Sequence, residues 1–271
     1  MRSGLPDVVL RRTDPAQRYG LRLTLLIVAM VVVAVPFSFL LFQVLFEGPL
    51  TELDGDLADR LNAAVRDTPA AVTALQGISW LGRPPVLWLV TGLSVLYTWR
   101  NGAHRLSLFL IATTAGGGIM STAIKVLVDR PRPEVDHPVT TAFGKSFPSG
   151  HALSSTVVFG AVLLTFLPVL APRLRRAAVV LTAMLVLSIG ASRLLLGVHF
   201  LSDVVGGHIL GVAWLLAATA IFETWRVERG RRPTHPLDEG VEPEEARELP
   251  LDLGAEESAE QDRADHRAPS T

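Results

Sequence analysis

Cysteine is absent from this chain of 271 residues, which excludes disulfide bonds, thiol catalysis and cysteine-ligated metal sites. Lysine is almost absent as well, because only Lys125 and Lys145 occur among the 25 basic residues. The alternation of polar and apolar residues that marks half-buried strands is also missing. Instead the apolar residues, 49% of the chain, form long blocks. Such blocks predict transmembrane helices in one compact membrane domain.

Charge is distributed unevenly along the chain, although the formal net charge is only −1. Residues 233–271 contain twelve acidic and three basic residues, so this segment has a net charge of −9. It is rich in proline and acidic residues and contains no aromatic residue. Because such a composition cannot build a packed core, it predicts a disordered acidic tail over residues 227–271.

Six apolar segments predict an all-α fold, a polytopic bundle of six transmembrane helices within residues 23–226. The first segment, residues 23–46, spans about 36 Å and is long enough to cross a bilayer. It is longer than a signal-peptide core and no small-residue cleavage site follows, which favours an uncleaved helix. The other five segments are residues 85–99, 106–128, 149–170, 177–196 and 201–225.

Two shorter patterns lie within or between these spans. Residues 54–66 predict an amphipathic helix with Leu57, Leu61 and Ala64 on one face, either on the membrane surface or as a solvated loop helix. Residues 72–81 are candidates for extending the short second span. The triplet at 116–118 is all glycine, which close helix packing explains better than a phosphate cradle.

Arginines indicate the orientation of the predicted spans. By the positive-inside rule, both termini are expected in the cytoplasm of a plasma-membrane protein, with residues 1–22 as an N-terminal cytoplasmic segment. The connections at 47–83, 129–148 and 197–200 then face outward. The arginines that support this orientation are Arg11, Arg12, Arg18, Arg22, Arg100, Arg105, Arg173, Arg175, Arg176, Arg226, Arg229, Arg231 and Arg232.

Three polar clusters fall at the predicted outer ends of helices three to six, so residues distant in sequence are expected to converge on one face. The clusters are Lys125 with Arg132-Pro133, then Pro148-Ser149-Gly150-His151, and finally Ser192-Arg193 with His199 and Asp203.

Cations dominate the first and third clusters. Charged groups at membrane depth are costly unless they face a partner or a wet cavity, and phosphate is a partner that arginine matches well. Lys125, Arg132 and Arg193 therefore predict a phosphate site. Ser149 and Gly150 begin a helix whose free N–H groups and dipole favour an anion.

The histidines suit proton and phosphoryl transfer. His199 and Asp203 are four residues apart and share a helix face if the helix begins near His199. A carboxylate on one imidazole nitrogen leaves the other nitrogen nucleophilic. His151 suits general acid catalysis on a leaving oxygen. A metal site is not predicted.

Each residue alone has a structural interpretation. Arg132 suits an interfacial anchor, Ser149 a helix N-cap, Asp203 a helix-dipole partner and His199 a headgroup-region histidine. Their combination on one face favours catalysis. Among the other residues, Asp129, Arg130 and Lys145 are candidates for tuning headgroup choice, with Arg130 alternatively a rim charge. His137 is expected in a solvated loop and His208 in helix packing or a hydrogen bond.

The order K-x6-R-P, PSGH and SR-x5-H-x3-D resembles the type 2 phosphatidic acid phosphatase superfamily, which includes bacterial lipid phosphatases and undecaprenyl pyrophosphate phosphatases. The resemblance implies a six-helix membrane fold with its active site at the outer face. It implies that His199 attacks phosphorus to form a phosphohistidine, assisted by Asp203, and that His151 protonates the leaving group. It also implies a phosphate site of Lys125, Arg132, Ser149, Gly150 and Arg193, with no metal or other cofactor.

The expected substrate is a lipid phosphomonoester or pyrophosphate in the bilayer, such as phosphatidic acid, phosphatidylglycerol phosphate or a polyprenyl pyrophosphate. A specific undecaprenyl pyrophosphate phosphatase is one alternative. A vanadate-dependent haloperoxidase and a lipid transporter or binding protein are two others. Haloperoxidases of this kind have a similar anion site but are soluble, and a transporter is expected to show internal repeats. Nucleic acid is not an expected partner, and the sequence leaves the oligomeric state open.

Overall fold

The computed structural model describes residues 34–134, 140 and 143–251, and all regular structure in these ranges is helical. The predicted all-α class is thus confirmed for the described part of the chain. A 3₁₀ turn spans Leu167–Val169. The helices are α1 (described from Ala34 to Leu45), α2 (Pro49–Arg66), α3 (Pro69–Leu81), α4 (Pro84–Arg100), α5 (His104–Val128), α6 (Gly150–Phe166), α7 (Pro172–Leu195), α8 (Leu201–Glu228), α9 (Pro236–Glu239) and α10 (Pro243–Arg247).

Four helices are long and apolar enough to cross a membrane: α5, α6 with its 3₁₀ turn, α7 and α8. The shortest of them has 20 residues, which corresponds to about 30 Å, the thickness of a hydrocarbon core. A fifth candidate is the pair α1 and α2, which is bent by 83°. With 17 residues, or about 26 Å, α4 is shorter than the core. These helices therefore establish several spans but not the predicted six, and residues 1–33 lie outside the described ranges.

The region between the first two predicted spans differs from expectation in two ways. Residues 72–81 do not extend the second span, because α3 ends at Leu81 and a new helix begins at Pro84, whose ring cannot donate a backbone hydrogen bond. The amphipathic helix is present as α2, but its buried residues are Asp54, Ala58 and Asn62 rather than the leucine face. The buried Arg130 side chain pairs with Asp54, and this partner turns the Asp54 face of α2 inward.

Helices α5 to α8 alternate in direction, and α6 packs against α4, α5, α7 and α8. Glycines allow α6 and α8 to cross closely. A Cβ atom at Gly207 would lie 2.7 Å from the backbone oxygen of Ser149, and one at Gly211 would lie 2.8 Å from Cβ of Thr156. Consequently the start of α6 touches the start of α8, and the Ser149 N–H donates to the Asp203 carbonyl at 2.9 Å.

The glycine triplet on α5 divides between two roles. Cβ atoms at Gly116 and Gly117 would lie 2.1 Å from Trp214 and 3.0 Å from Val157, so these two glycines permit helix packing, as expected. Gly118 has open space around it and borders a cavity. That cavity lies at the end of the bundle where α5 and α7 end and α6 and α8 begin. We call this end of the bundle the site end.

Residues 227–251 are folded, which corrects the predicted disorder for this part of the 227–271 tail: residues 227 and 228 belong to α8, and residues 229–251 follow it. This segment folds back on the end of the bundle opposite the site end, where Glu242 is fully buried. Glu242 pairs with Arg105 at 2.6 Å, with Arg231 at 2.7 Å and with Arg226 at 3.3 Å. Arginines at the helix ends are thus the partners of Glu242, and the composition of the tail alone does not reveal them. Residues 252–271 lie outside the described ranges.

Neighbouring glutamates complete this contact. Glu244 accepts hydrogen bonds from the Arg226 guanidinium, which lowers the pKa of Glu244 to about 2. The Glu245 carboxylate accepts from the backbone N–H groups of Arg105 and Leu106 at 3.0 and 3.3 Å. Glu245 therefore satisfies free donors at the start of α5.

Candidate active site

A cavity of about 840 Å³ opens at the site end. Its volume lies within the range of about 300–1,000 Å³ that is usual for small-molecule sites. Helices α4 to α7 and the loops after α5 and α7 contribute to its wall. Six of the residues singled out by sequence line it together: Lys125, Arg132, Gly150, His151, Arg193 and His199.

The three predicted cations approach the cavity from different elements. Lys125 projects from the end of α5, and a Cβ atom at Gly150 would lie 3.4 Å from its Nζ, so the ammonium group lies beside the start of α6. Arg193, near the end of α7, donates to Ser79 Oγ at 2.7 Å. Arg132 donates to the carbonyl of Val198 at 2.7 Å. Three cations around one cavity match the chemistry of a multiply charged anion, so the predicted phosphate site stays a prediction that this arrangement suits.

The contacts of His199 determine its tautomer. Its Nε2 atom lies 3.1 Å from a guanidinium nitrogen of Arg132, which can only donate. Nε2 is therefore the acceptor, and the proton of the neutral ring belongs on Nδ1. Nδ1 lies 3.3 Å from Oδ2 of Asp203, as the spacing of four residues predicts. The unprotonated Nε2 is thus the nitrogen available to an electrophile.

Asp203 itself is fully buried and held on both oxygens. Oδ2 accepts hydrogen bonds from the Ser146 hydroxyl and from the Phe200 N–H, the latter at 2.9 Å. Oδ1 accepts from the Arg130 guanidinium at 2.7 Å. These contacts aim the carboxylate at Nδ1 of His199.

Burial controls the charge of His199, which lies in the loop before α8 and is 1% exposed. Loss of hydration lowers the pKa of His199 to about 4, and the charges of Arg132 and Arg193 act in the same direction. Asp203 opposes this shift without cancelling it. The imidazole is therefore neutral at physiological pH, as a nucleophile requires.

His151 and Ser149, which both lie at the start of α6, have different surroundings. His151 lines the cavity, and its Nε2 has no hydrogen-bond partner within the described ranges. Ser149 is fully buried and its hydroxyl accepts from the Ala152 N–H at 3.4 Å, so it is the N-cap of α6. Of the predicted pair Ser149 and Gly150, it is Gly150 that borders the cavity.

Several residues of the site were not identified from sequence. Arg83, between α3 and α4, lines the cavity mouth, and its charge reaches both His151 and Arg193. Ser146 holds Asp203, and Asp54 on α2 reaches the base of the site. An arginine that precedes a proline-initiated helix is a weak signal for Arg83. Nothing in the sequence marks Ser146 or Asp54.

The flanking residues divide between the rim and the interior. Arg130 is 8% exposed and does not line the cavity, so neither a rim charge nor a headgroup contact describes it. Lys145 pairs with Asp129 at the exposed edge of the site. His208 shares a hydrogen bond of 2.9 Å with Thr156, as predicted. His137 lies outside the described ranges.

In the part of the chain that the structure describes, no group of three or more His, Asp or Glu side chains is placed to hold a metal ion. The expectation of a reaction without a metal stays a prediction.

The fold and the site define a class, that of helical membrane proteins with several spans and a buried histidine–aspartate pair facing an anion cavity. A sequence profile described as the PAP2 superfamily matches residues 106–226. A decaprenylphosphoryl-5-phosphoribose phosphatase of Mycobacterium tuberculosis is 32% identical over 56% of this chain and 80% of its own length. The chain belongs to the PAP2 superfamily, and with this site it is a phosphatase.

Other similar proteins are named as phosphatases of different lipids. A lipid A 1-phosphatase of Rhizobium johnstonii is 28% identical over 67% of this chain and 75% of its own length. Phosphatidylglycerophosphatase B of Bacillus subtilis is 31% identical, but the match covers 35% of this chain and only 47% of that protein. The crystal structure of a transmembrane PAP2-type phosphatidylglycerolphosphate phosphatase from Bacillus subtilis has a TM-score of 0.65 at 21% identity. It matches 72% of this chain and 96% of its own and shares the fold.

Proposed function

We propose that this protein hydrolyses a phosphomonoester or pyrophosphate on a membrane lipid, without a metal, through a phosphohistidine on His199. The observation that carries the proposal is the contact set of His199. Its unprotonated Nε2, which accepts from Arg132, borders a cavity with three cations, while its protonated Nδ1 faces the carboxylate of Asp203. That arrangement provides a nucleophile, an orienting group and an anion site in one place.

The proposed reaction has two steps. Nε2 of His199 forms a bond to phosphorus while the bond to the leaving oxygen breaks, and His151, protonated once the phosphate anion lies beside it, gives that oxygen a proton. Water then attacks phosphorus, the N–P bond breaks, and His151 takes the water's proton. Lys125, Arg132, Arg193 and the Gly150 N–H stabilise the phosphoryl oxygens in both steps. The proton on His151 is restored, and inorganic phosphate and the dephosphorylated lipid leave.

The shape of the cavity favours a lipid substrate. It continues from the histidines along α4 and α5, past Trp88 and Thr91 as far as Val95 and Ile111. Val95 lies eleven residues into α4, so this groove is about 16 Å long. Trp88 is 74% exposed and Ile111 is 46% exposed, so the groove is open between the helices. A headgroup at the histidines would leave its apolar chain in this groove, facing the bilayer.

The proposed topology has six spans, with α4 as the second and both termini in the cytoplasm. Arginines at the end opposite the site end support this orientation through the positive-inside rule. They include Arg105, Arg226 and Arg231, which the structure brings together around Glu242. The active site would then face outward across the plasma membrane.

The experiment that tests the proposal is phosphate release by the purified protein from a panel of lipids in the presence of a chelator. The panel contains phosphatidic acid, phosphatidylglycerol phosphate, a polyprenyl monophosphate and undecaprenyl pyrophosphate. We expect release from at least one of them. No release from any lipid, with measurable lipid flux in proteoliposomes, would favour a transporter instead. Preference for the pyrophosphate alone would identify the narrower alternative.

We expect a larger side chain in the groove to weaken binding of long lipids. Gly118→Leu places apolar atoms where nothing lies within 4 Å, so it displaces part of the lipid chain. Loss of contact for two methylenes corresponds to about 1.6 kcal/mol, roughly a tenfold rise in KM. A water-soluble short-chain phosphate should keep its KM. The matched control is Gly77→Leu, because Gly77 also has open space around it but lies outside the cavity. If Gly118→Leu raised KM equally for the long lipid and the short-chain phosphate, the proposed lipid groove would be wrong.

The acid limb of kcat/KM should reflect the lowered pKa of His199. The imidazole is neutral above about pH 4 and protonated below it, so activity should be lost as pH falls through 4 rather than through 6.5. The substrate phosphate titrates near pH 6 and adds its own limb. The titration of the substrate phosphate is measured separately by phosphorus NMR, and the pH profile of kcat/KM is corrected for it. A remaining enzyme limb near pH 6.5 would contradict the buried, neutral His199.

A further inference from the structure

Arg130 forms a buried bridge between two carboxylates at the base of the site. Its guanidinium donates to Asp203 Oδ1 at 2.7 Å and to Asp54 Oδ2 at 2.9 Å. All three side chains are at most 8% exposed. Neither Arg130 nor Asp54 lines the cavity, so neither contacts a bound phosphate. The bridge therefore has a different task from the phosphate-binding cations.

Asp54 also holds the start of α8. Its Oδ1 accepts from the Ser202 N–H at 3.0 Å, and its Oδ2 accepts from the Ser202 hydroxyl. Arg130 donates to that same hydroxyl at 2.7 Å. Ser202 precedes Asp203 directly, so Asp54 constrains the residue next to the carboxylate that orients His199. Asp54 belongs to α2, outside the 106–226 region matched by the superfamily profile.

The bridge also divides the Arg130 guanidinium between two carboxylates. A guanidinium paired with Asp203 alone would draw that carboxylate toward itself and away from Nδ1 of His199. Asp54 supplies a second acceptor and holds the opposite side of the Arg130 fork, which spans both carboxylates because it is planar. With Asp54 in place, Oδ1 of Asp203 contacts Arg130 while Oδ2 stays toward His199.

We infer that Asp54 and Arg130 are positioning residues for the reaction, which act through Asp203 to keep the nucleophilic tautomer of His199. This inference rests on the proposed phosphatase function. It assigns a mechanistic role to α2, the helix that enters the bundle with a polar face toward the site. It also explains why Asp54, Ala58 and Asn62 form the buried face of α2.

The test is Asp54→Asn, which keeps the shape of the side chain and removes its charge. We expect kcat to fall about 10- to 100-fold, the range for groups that orient a reacting residue from outside the site. KM should change by less than about twofold, because the phosphate-binding cations are untouched. Asp59→Asn on the exposed side of the same helix is the matched control and should keep wild-type kinetics.

A second variant separates positioning from folding. Arg130→Lys keeps the positive charge but replaces the planar fork, which has a separate nitrogen for each carboxylate, by one ammonium nitrogen, so kcat should again fall at least about tenfold. Because both residues act through one contact, the double variant of Asp54→Asn with Arg130→Lys should lose little more than the worse single variant. Rates are normalised to folded protein by thermal unfolding in the same micelles.

The outcomes are distinct. Wild-type kcat in Asp54→Asn would overturn the positioning role, and so would a rise in KM with kcat unchanged. Independent, multiplicative losses in the double variant would also overturn it. If instead the wild-type protein releases no phosphate from any lipid of the panel, the proposed function fails, and this result is seen before any variant is compared.

Discussion

Replacing His199 by alanine should reduce phosphate release by at least about 10⁴-fold, because the phosphoryl group then has no acceptor on the protein. The three cations remain and should still bind the phosphate, so KM is expected to change little. The loss should appear in kcat, measured as inorganic phosphate released in the presence of a chelator. With wild-type protein, rapid acid-free quenching of a phosphorus-32-labelled substrate should trap an acid-labile phosphoprotein, and His199→Ala should trap none.

The matched control is His104→Ala. His104 lies at the opposite end of the bundle, where its ring packs against Trp99 with centroids 4.6 Å apart. This variant should retain wild-type kcat. Activity above about 1% in folded His199→Ala protein would rule out His199 as the nucleophile. Equal loss in both histidine variants would indicate damage to the fold rather than to the chemistry.

Replacing Glu242 by glutamine should destabilise the fold without touching the chemistry. Glu242 is fully buried among Arg105, Arg226 and Arg231, and the first two of these are 11% and 1% exposed. Removing its charge leaves buried guanidinium groups without their shared partner. Breaking a buried pair on one side costs about 3–5 kcal/mol, and we expect a clear fall in Tm in a fixed detergent.

The matched control for Glu242 is Glu248→Gln. Glu248 is an exposed acid in the same segment, so its replacement should leave Tm unchanged. The kcat of Glu242→Gln protein that remains folded should equal that of the wild type, because the clamp lies at the end opposite the site. An unchanged Tm would show that the ordered tail contributes little to stability.

The tail illustrates a limit of reasoning from composition. An acidic, proline-containing segment without aromatics has too little apolar surface to fold alone, so disorder was the reasonable prediction. The segment instead docks on Arg105, which is far away in sequence, and on Arg226 at the end of the preceding helix. Its ordering depends on partners supplied by the ends of α5 and α8, and no local pattern contains that information.

Arg130 and Asp54 show the same limit within the site. From sequence, Arg130 is a candidate rim charge or headgroup contact, and Asp54 is only the first residue of a predicted amphipathic helix. The structure buries both and joins them to Asp203. The side of α2 that faces inward follows from this buried arginine, because an unpaired guanidinium there would be far costlier than an exposed leucine.

The sequence by itself determined the helical membrane class and the six residues that share the cavity, Lys125, Arg132, Gly150, His151, Arg193 and His199. It did so because apolar blocks and helical spacing are local properties, and because adjoining ends of consecutive spans must meet at one face. Only the tertiary structure decided that residues 229–251 of the tail fold against the bundle, and that a carboxylate on α2 is joined to Asp203 through Arg130. These features depend on long-range ion pairs, whose energies arise only when burial brings distant charges together.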